Sequence, residues 1–266
     1  MRAGTAPGDV GYGRTISDFH VAEVVASEAG ALLCEVRAQL AGEDPATVRA
    51  EGDRRSHELI SRRLASLRPG DCVLSEEAAD DSDRVHRERV WIVDPLDGTR
   101  EFSEPGRVDW AVHVALWERG ALAAGAVALP ALGHTYSMGT PLALPPATGD
   151  RPRLAVSRTR PPDAMRELAV RLAADLVPMG SAGAKAMAVL RGEADAYVHA
   201  GGQFEWDSAA PVAVATASGL HASRIDGSPL QYNCADPRLP DLVICRPELA
   251  AGILSAIDEL RPAFDP

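Results

Sequence analysis

Residues 90–93, Val-Trp-Ile-Val, make an apolar run with no polar alternation, so the strand they build has to be covered on both faces. The run leads straight into Asp94-Pro95-Leu96-Asp97-Gly98-Thr99. Two aspartates at the end of a buried strand repel one another, and packing them together costs several kcal/mol unless a cation is present. The chain must therefore fold into layers that bury this strand and bring a counter-charge to its end.

The surrounding pattern supplies such layers. Residues 17–40 carry apolar positions on one helical face behind Ser17 or Asp18 as N-cap, and 52–69 predict a second helix stopped by Pro69-Gly70. Strands are expected at 72–77, 89–94, 110–120 and 121–133, the last two as a meander with glycine turns. Residues 139–153 contain Pro141, Pro145, Pro146 and Pro152 with few core-forming side chains, which predicts a long loop joining two halves. The expected division is an N-terminal α+β part over 1–145 with acidic loops and a C-terminal α/β part over 146–266. In the second part, strands at 153–159, 176–181, 194–199 and 241–247 alternate with helices at 161–176, 182–193 and 205–220, before a last helix ending at 261.

Composition narrows the function. A net charge of -11 excludes a nucleic-acid polymer as the main partner, because tracking its phosphates requires clustered cations. Cys34, Cys72, Cys234 and Cys245 form no C-x-x-C pair, so neither a zinc site nor a disulfide framework is expected, and reduced thiols fit a cytoplasmic protein. Residues 1–15 lack a signal-peptide apolar core, and no stretch reaches the roughly 18 apolar residues that span a bilayer. A soluble protein without a membrane partner is the expectation.

Three acidic clusters stand at element ends: Glu76-Glu77, Asp94 with Asp97, and Asp207. Oxygen donors of this kind suit a hard divalent cation such as Mg²⁺. Pro95 fixes φ in a tight turn that can aim both carboxylates and the Leu96 carbonyl inward, while Gly98 and Thr99 start a helix whose N–H groups can face an anion. Lys185 is the only lysine among 27 Lys and Arg residues, and it lies one turn into a helix that begins at Gly180-Ser181-Ala182-Gly183. An ammonium there binds phosphate as a point charge. His113 and His199 read as structural histidines.

Taken together, LSEE, WIVDPLDGTREF, GSAGAK and EWDSAA resemble the inositol monophosphatase superfamily of lithium-sensitive, magnesium-dependent phosphatases, closest to its CysQ-like 3'(2'),5'-bisphosphate nucleotidases. The resemblance implies a layered αβαβα sandwich and two or three Mg²⁺ per site. It makes Glu76, Asp94, the Leu96 carbonyl, Asp97 and Asp207 metal ligands and Glu77 a supporting carboxylate. It matches Asp53 with the aspartate that activates water together with Thr99, although AEGDRR replaces the usual approach to that aspartate and a helix N-cap remains the other reading of Asp53. Gly98, Thr99, Arg100, Ser181 and Lys185 become substrate contacts. The implied reaction is hydrolysis of the 3'-phosphate of adenosine 3',5'-bisphosphate by a monomer or homodimer. An inositol monophosphatase, a fructose-1,6-bisphosphatase and an inactive metal or nucleotide sensor stay open as alternatives.

Overall fold

The computed structural model describes residues 16–147, 149–159 and 163–264. The expectation about residues 1–15 and the first two residues of the helix expected at 161 lie outside them. Helix α1 (Asp18–Gln39) starts where Ser17 Oγ accepts from His20 N. Helix α2 (Pro45–Leu67) begins about two turns earlier than the sequence suggested, because Asp44 caps Ala46 N and Thr47 N and Pro45 occupies the first turn. Gly52, where the expected helix began, sits inside α2, where a Cβ would strike Phe102 and Leu96. Its helix penalty of about 1 kcal/mol buys close approach to the strand beneath.

The first sheet has the order β1 (Cys72–Ser75), β2 (Arg89–Asp97), β3 (Ala111–Glu118), β4 (Ala121–Leu129) and β5 (His134–Ser137), with β1 parallel to β2 and the rest antiparallel. The short helix α3 (Thr99–Ser103) follows β2. The second sheet places β7 (Asp175–Met179), β6 (Arg153–Ser157), β8 (Ala196–Phe204), β10 (Arg238–Cys245) and β9 (His221–Ser223) side by side. Strands β5 and β9 had no distinct sequence signal, being four and three residues long.

Alternation sorts each strand between layers. Val90 and Ile92 face a core shared with α5 (Ala182–Leu190) and α6 (Glu205–Ala217), while Trp91 and Val93 face α1 and α2. Leu242 and Ile244 of β10 reach the same α5–α6 core from the other side. Val243 and Cys245 turn outward to α4 (Asp163–Arg171) and α7 (Ala250–Glu259), beside the final turn α8 (Arg261–Phe264). The result is the αβαβα sandwich, with α5 and α6 as its middle layer. Every residue of α5 is buried, which explains its alanine-rich sequence: a helix between two sheets has no solvent face. No helix among the described residues is long and apolar enough to cross a membrane.

Candidate active site

The expected tight turn at Asp94–Asp97 is a bulged strand instead. On β3, His113 and Ala111 are two residues apart and share a face; their partners on β2, Asp94 and Asp97, are three apart. The extra residue on β2 turns Asp97 to the face that Asp94 already occupies, whereas plain alternation would send it to the opposite layer. Pro95, lacking an N–H, fits where the ladder is interrupted. Its carbonyl accepts from Ser56 Oγ of α2 at 2.6 Å, and Leu96 N donates to Asp94 Oδ1 at 3.0 Å, so the bulge is pinned from two sides. Leu96 sends its side chain into the α1–α2 core.

Asp207 reaches the same spot from the first turn of α6, where its Oδ2 accepts from Phe204 N at 2.7 Å. Asp94, Asp97 and Asp207 each offer an oxygen within 4.8 Å of the others. Their environments differ. Burial, then the charges of Asp97, Glu76 and Asp207, raise Asp94 well above the usual carboxylate range. Asp207 is pushed up to about 6 by burial and the Asp97 charge. Burial also opposes ionisation of Asp97, but the His113 charge, the imidazole contact, Ser181 and Gly183 N outweigh it and hold Asp97 at about 2. Ser181 Oγ donates to Asp97 Oδ2 at 2.5 Å, Gly183 N donates at 2.7 Å, and His113 Nε2 lies 3.2 Å away. A Cβ on Gly183 would strike that Nε2, so only glycine brings the α5 backbone against the pair.

Glu76, Glu77 and Asp53 form the exposed side. Although Glu76 keeps a solvent-facing surface, partial burial and then the charges of Asp207, Glu77, Asp97 and Asp53 push it up to about 7. Asp53 is raised to about 7 by burial and by Glu77, with Arg49 opposing. It sits inside α2, so its N-cap reading is wrong; the cap is Asp44. Glu76 stands outside the close set of three but feels the charge of each other acidic group except Asp94 among its main influences. Burial first, and then the charges of their neighbours, disfavour ionisation of Asp53, Glu76, Asp94 and Asp207, and a cation would offset both. All-oxygen donors fit a hard divalent cation, with Asp94, Asp97 and Asp207 able to hold it.

Lys185 is buried at 7% exposure, with Nζ 5.1 Å from the centre of the Tyr197 ring. Burial lowers its pKa against the pull of Asp97, Glu101, Asp207 and Asp109. Two cavities meet at Ser181 and Lys185. One of 310 Å³ runs from Asp97 and Asp207 toward β8; the other, 250 Å³, is bounded by Gly98, Thr99, Arg100 and Arg158. Gly98 is in the left-handed region at φ 87° and opens α3. Arg100 is exposed at the second cavity. Ser181 stands at the junction as expected, but its proton is committed to Asp97 and its oxygen accepts from Ala184 N at 2.9 Å, leaving no free donor for a substrate.

Sequence reasoning passed over His113, which is fully buried with Nδ1 3.0 Å from Trp206 O. Its signal was a lone polar side chain inside the otherwise apolar strand AVHVALW. It also passed over Arg158, which bridges the buried Glu101 at 2.6 Å and Glu104 at 2.5 Å and ties α3 to the end of β6.

The chain is 55% identical over 238 residues to a 3'-phosphoadenosine 5'-phosphate phosphatase of Mycobacterium tuberculosis, covering 86% of this chain and 89% of that one. It is 50% identical over 261 residues to the Mycobacterium leprae protein of the same name, covering 94% and 96%. Among solved structures, Mycobacterium tuberculosis SuhB superposes with a TM-score of 0.70 at 27% identity over 90% of this chain and 94% of that chain. Residues 16–261 match one family from the first capped helix to the last, and by that match the chain belongs to the inositol monophosphatase family of metal-dependent phosphatases.

Proposed function

We propose that this protein hydrolyses the 3'-phosphate of adenosine 3',5'-bisphosphate to AMP and phosphate, using Mg²⁺. The observation that carries the reading is the junction of an acidic donor set, a buried ammonium and two cavities at one point, together with relatives at 50–55% identity named as phosphatases of that nucleotide. Asp94, Asp97 and Asp207, joined by Glu76 and the Leu96 carbonyl, would hold two or three Mg²⁺. Bound there, the ions supply Lewis acidity toward the phosphoryl oxygens and a water of lowered pKa.

This chain's residues do the remainder. Lys185 neutralises substrate charge where both cavities meet. Thr99 Oγ1 orients the attacking water, and an Asp53 carboxylate oxygen, with Glu77 beside it, receives the proton. Gly98 lets backbone approach the phosphate, and Arg100 at the rim meets the second one. Ser181 orients Asp97 through its hydroxyl. The reading includes a cytoplasmic location, which the four unpaired cysteines support, and a monomer or homodimer.

Phosphate release should be measured from adenosine 3',5'-bisphosphate, inositol 1-phosphate and fructose 1,6-bisphosphate, with Mg²⁺ and with EDTA. The nucleotide should have the highest kcat/KM, and EDTA should abolish turnover. A preference for inositol 1-phosphate would overturn the substrate, and absence of metal-dependent release would leave a sensor.

A further inference from the structure

Glu76 differs from the other expected ligands in coming from a turn; Asp94, Leu96 and Asp97 lie on β2, and Asp207 lies on α6. From Glu76 to Glu88 every residue is exposed except Val85, which is half-buried, and Arg84, which is buried at 1% exposure. An arginine is almost never buried so fully unless its charge and its donors are matched. Arg84 stands in a 3₁₀ turn, Ser82–His86, that leads from the Glu76 turn into β2.

Its guanidinium is matched on three sides. Nε and Nη2 donate to the two oxygens of Asp80 at 2.6 and 3.0 Å, Nη1 donates to Asn233 Oδ1 at 2.8 Å, and Nη2 also donates to Cys234 O at 2.8 Å. Asn233 Nδ2 returns a bond to Arg84 O at 3.2 Å. Asn233 is held at φ 60°, and from there the N–H groups of Asn233 and Cys234 donate to the two carboxylate oxygens of Glu205 at 2.7 and 2.8 Å. Glu205 is buried in the first turn of α6, two residues before Asp207, and its own N–H donates to Pro237 O at 2.8 Å. A continuous series of hydrogen bonds thus runs from Asp80, four residues after Glu76, to the start of the helix that carries Asp207. On the other side of Glu76, Ser75 Oγ accepts from Glu77 N at 3.4 Å, so the turn is held at both ends. After burial, the Asp207 charge is the largest influence on Glu76, so the separation of these two carboxylates matters to the site.

Resting on the Mg²⁺ reading above, we infer that Arg84 is a positioning residue for the metal site: through Asp80 and Asn233 it fixes the Glu76 turn of the first half against the Asp207 end of α6 in the second. Arg84 lines neither cavity at the site and bonds to none of the metal ligands. Its effect is therefore on the arrangement of ligands before a cation arrives. With the series broken, the cation itself has to order the turn, and affinity falls by that cost.

The test is calorimetric binding of Mg²⁺ to the substrate-free full chain, with urea denaturation of the same samples. Arg84→Lys keeps the charge but loses the planar fork, and should weaken Mg²⁺ binding about tenfold. Asn233→Gly tolerates φ 60° and keeps the N–H to Glu205 while cutting the link to Arg84, and should do the same. The double variant should bind Mg²⁺ about as well as either single one, because both changes break one series. At saturating Mg²⁺, KM for adenosine 3',5'-bisphosphate should stay within about twofold of wild type. Lower stability with Mg²⁺ affinity within about twofold of wild type in both single variants would make Arg84 a clamp for folding alone and overturn the inference, while the Mg²⁺ reading stands. Additive losses in the double variant would also overturn it. Should Arg84→Lys fail to fold, the affinity of Asn233→Gly decides by itself. A wild-type protein that binds no Mg²⁺ overturns the Mg²⁺ reading and this inference together.

Discussion

Asp94 and Asp97 show how far the surroundings of one residue can separate two identical side chains. The first is surrounded by carboxylates and pushed toward protonation; the second is ringed by His113, Ser181 and Gly183 N and stays ionised. Asp94→Asn should therefore act in two directions. Phosphate release with Mg²⁺ should fall at least about 100-fold, because a charged ligand is lost. In EDTA the variant should melt above the wild-type protein, because a buried amide is not repelled by Asp97, Glu76 and Asp207. Wild-type turnover in the variant would remove Asp94 from the site. Asp94, Asp97 and Asp207 were legible in the sequence because their charge contradicts the apolar run or helix that carries them. The partners of Asp97 were not, since His113 is distant in order and reads as one polar residue on a strand.

At the scale of the element, the decisive feature is the bulge in β2. A D-x-x-D spacing reads as a turn, since alternation alone would place its two carboxylates in different layers. Only the register against β3 shows that one extra residue brings them together. The helix α2 runs on past Gly52 toward its N-terminus, to the Asp44 cap and Pro45, and close packing against Phe102 and Leu96 overrides the low helix propensity of that glycine. Elements with a strong apolar period, such as α1, β2 and α5, were found within a few residues. Between elements, Arg158 holds α3 to β6 through Glu101, which is buried. Arg158→Ala should cost about 1–3 kcal/mol in urea denaturation by leaving that carboxylate unpaired, with Arg158→Lys recovering part of the loss. Equal stability in the alanine variant would show that the bridge contributes nothing.

For the molecule as a whole, the acidic site makes stability depend on pH. Glu76 and Asp53 at about 7, and Asp207 at about 6, keep protons in the fold that an unfolded chain releases near 3.8 to 4.5. The folded state thus binds more protons between those limits, and stability falls as pH rises. The penalty is absent below about pH 4 and complete above about pH 7. Asp97, at about 2, has the opposite sign and acts only as pH falls from 3.8 toward that value. In EDTA the Tm should be lower at pH 8 than at pH 5, and saturating Mg²⁺ should flatten the difference; a Tm independent of pH in EDTA would contradict the raising of these carboxylates by burial and by one another.

The middle layer has a consequence of its own. Because α5 and α6 lie in the second half of the sequence yet cover the inner face of the first sheet, neither half owns a finished interior. A protease nick in the proline-bearing stretch between β5 and β6 would cut the backbone without freeing two pieces, and a gene split there would yield fragments that are soluble only in each other's company.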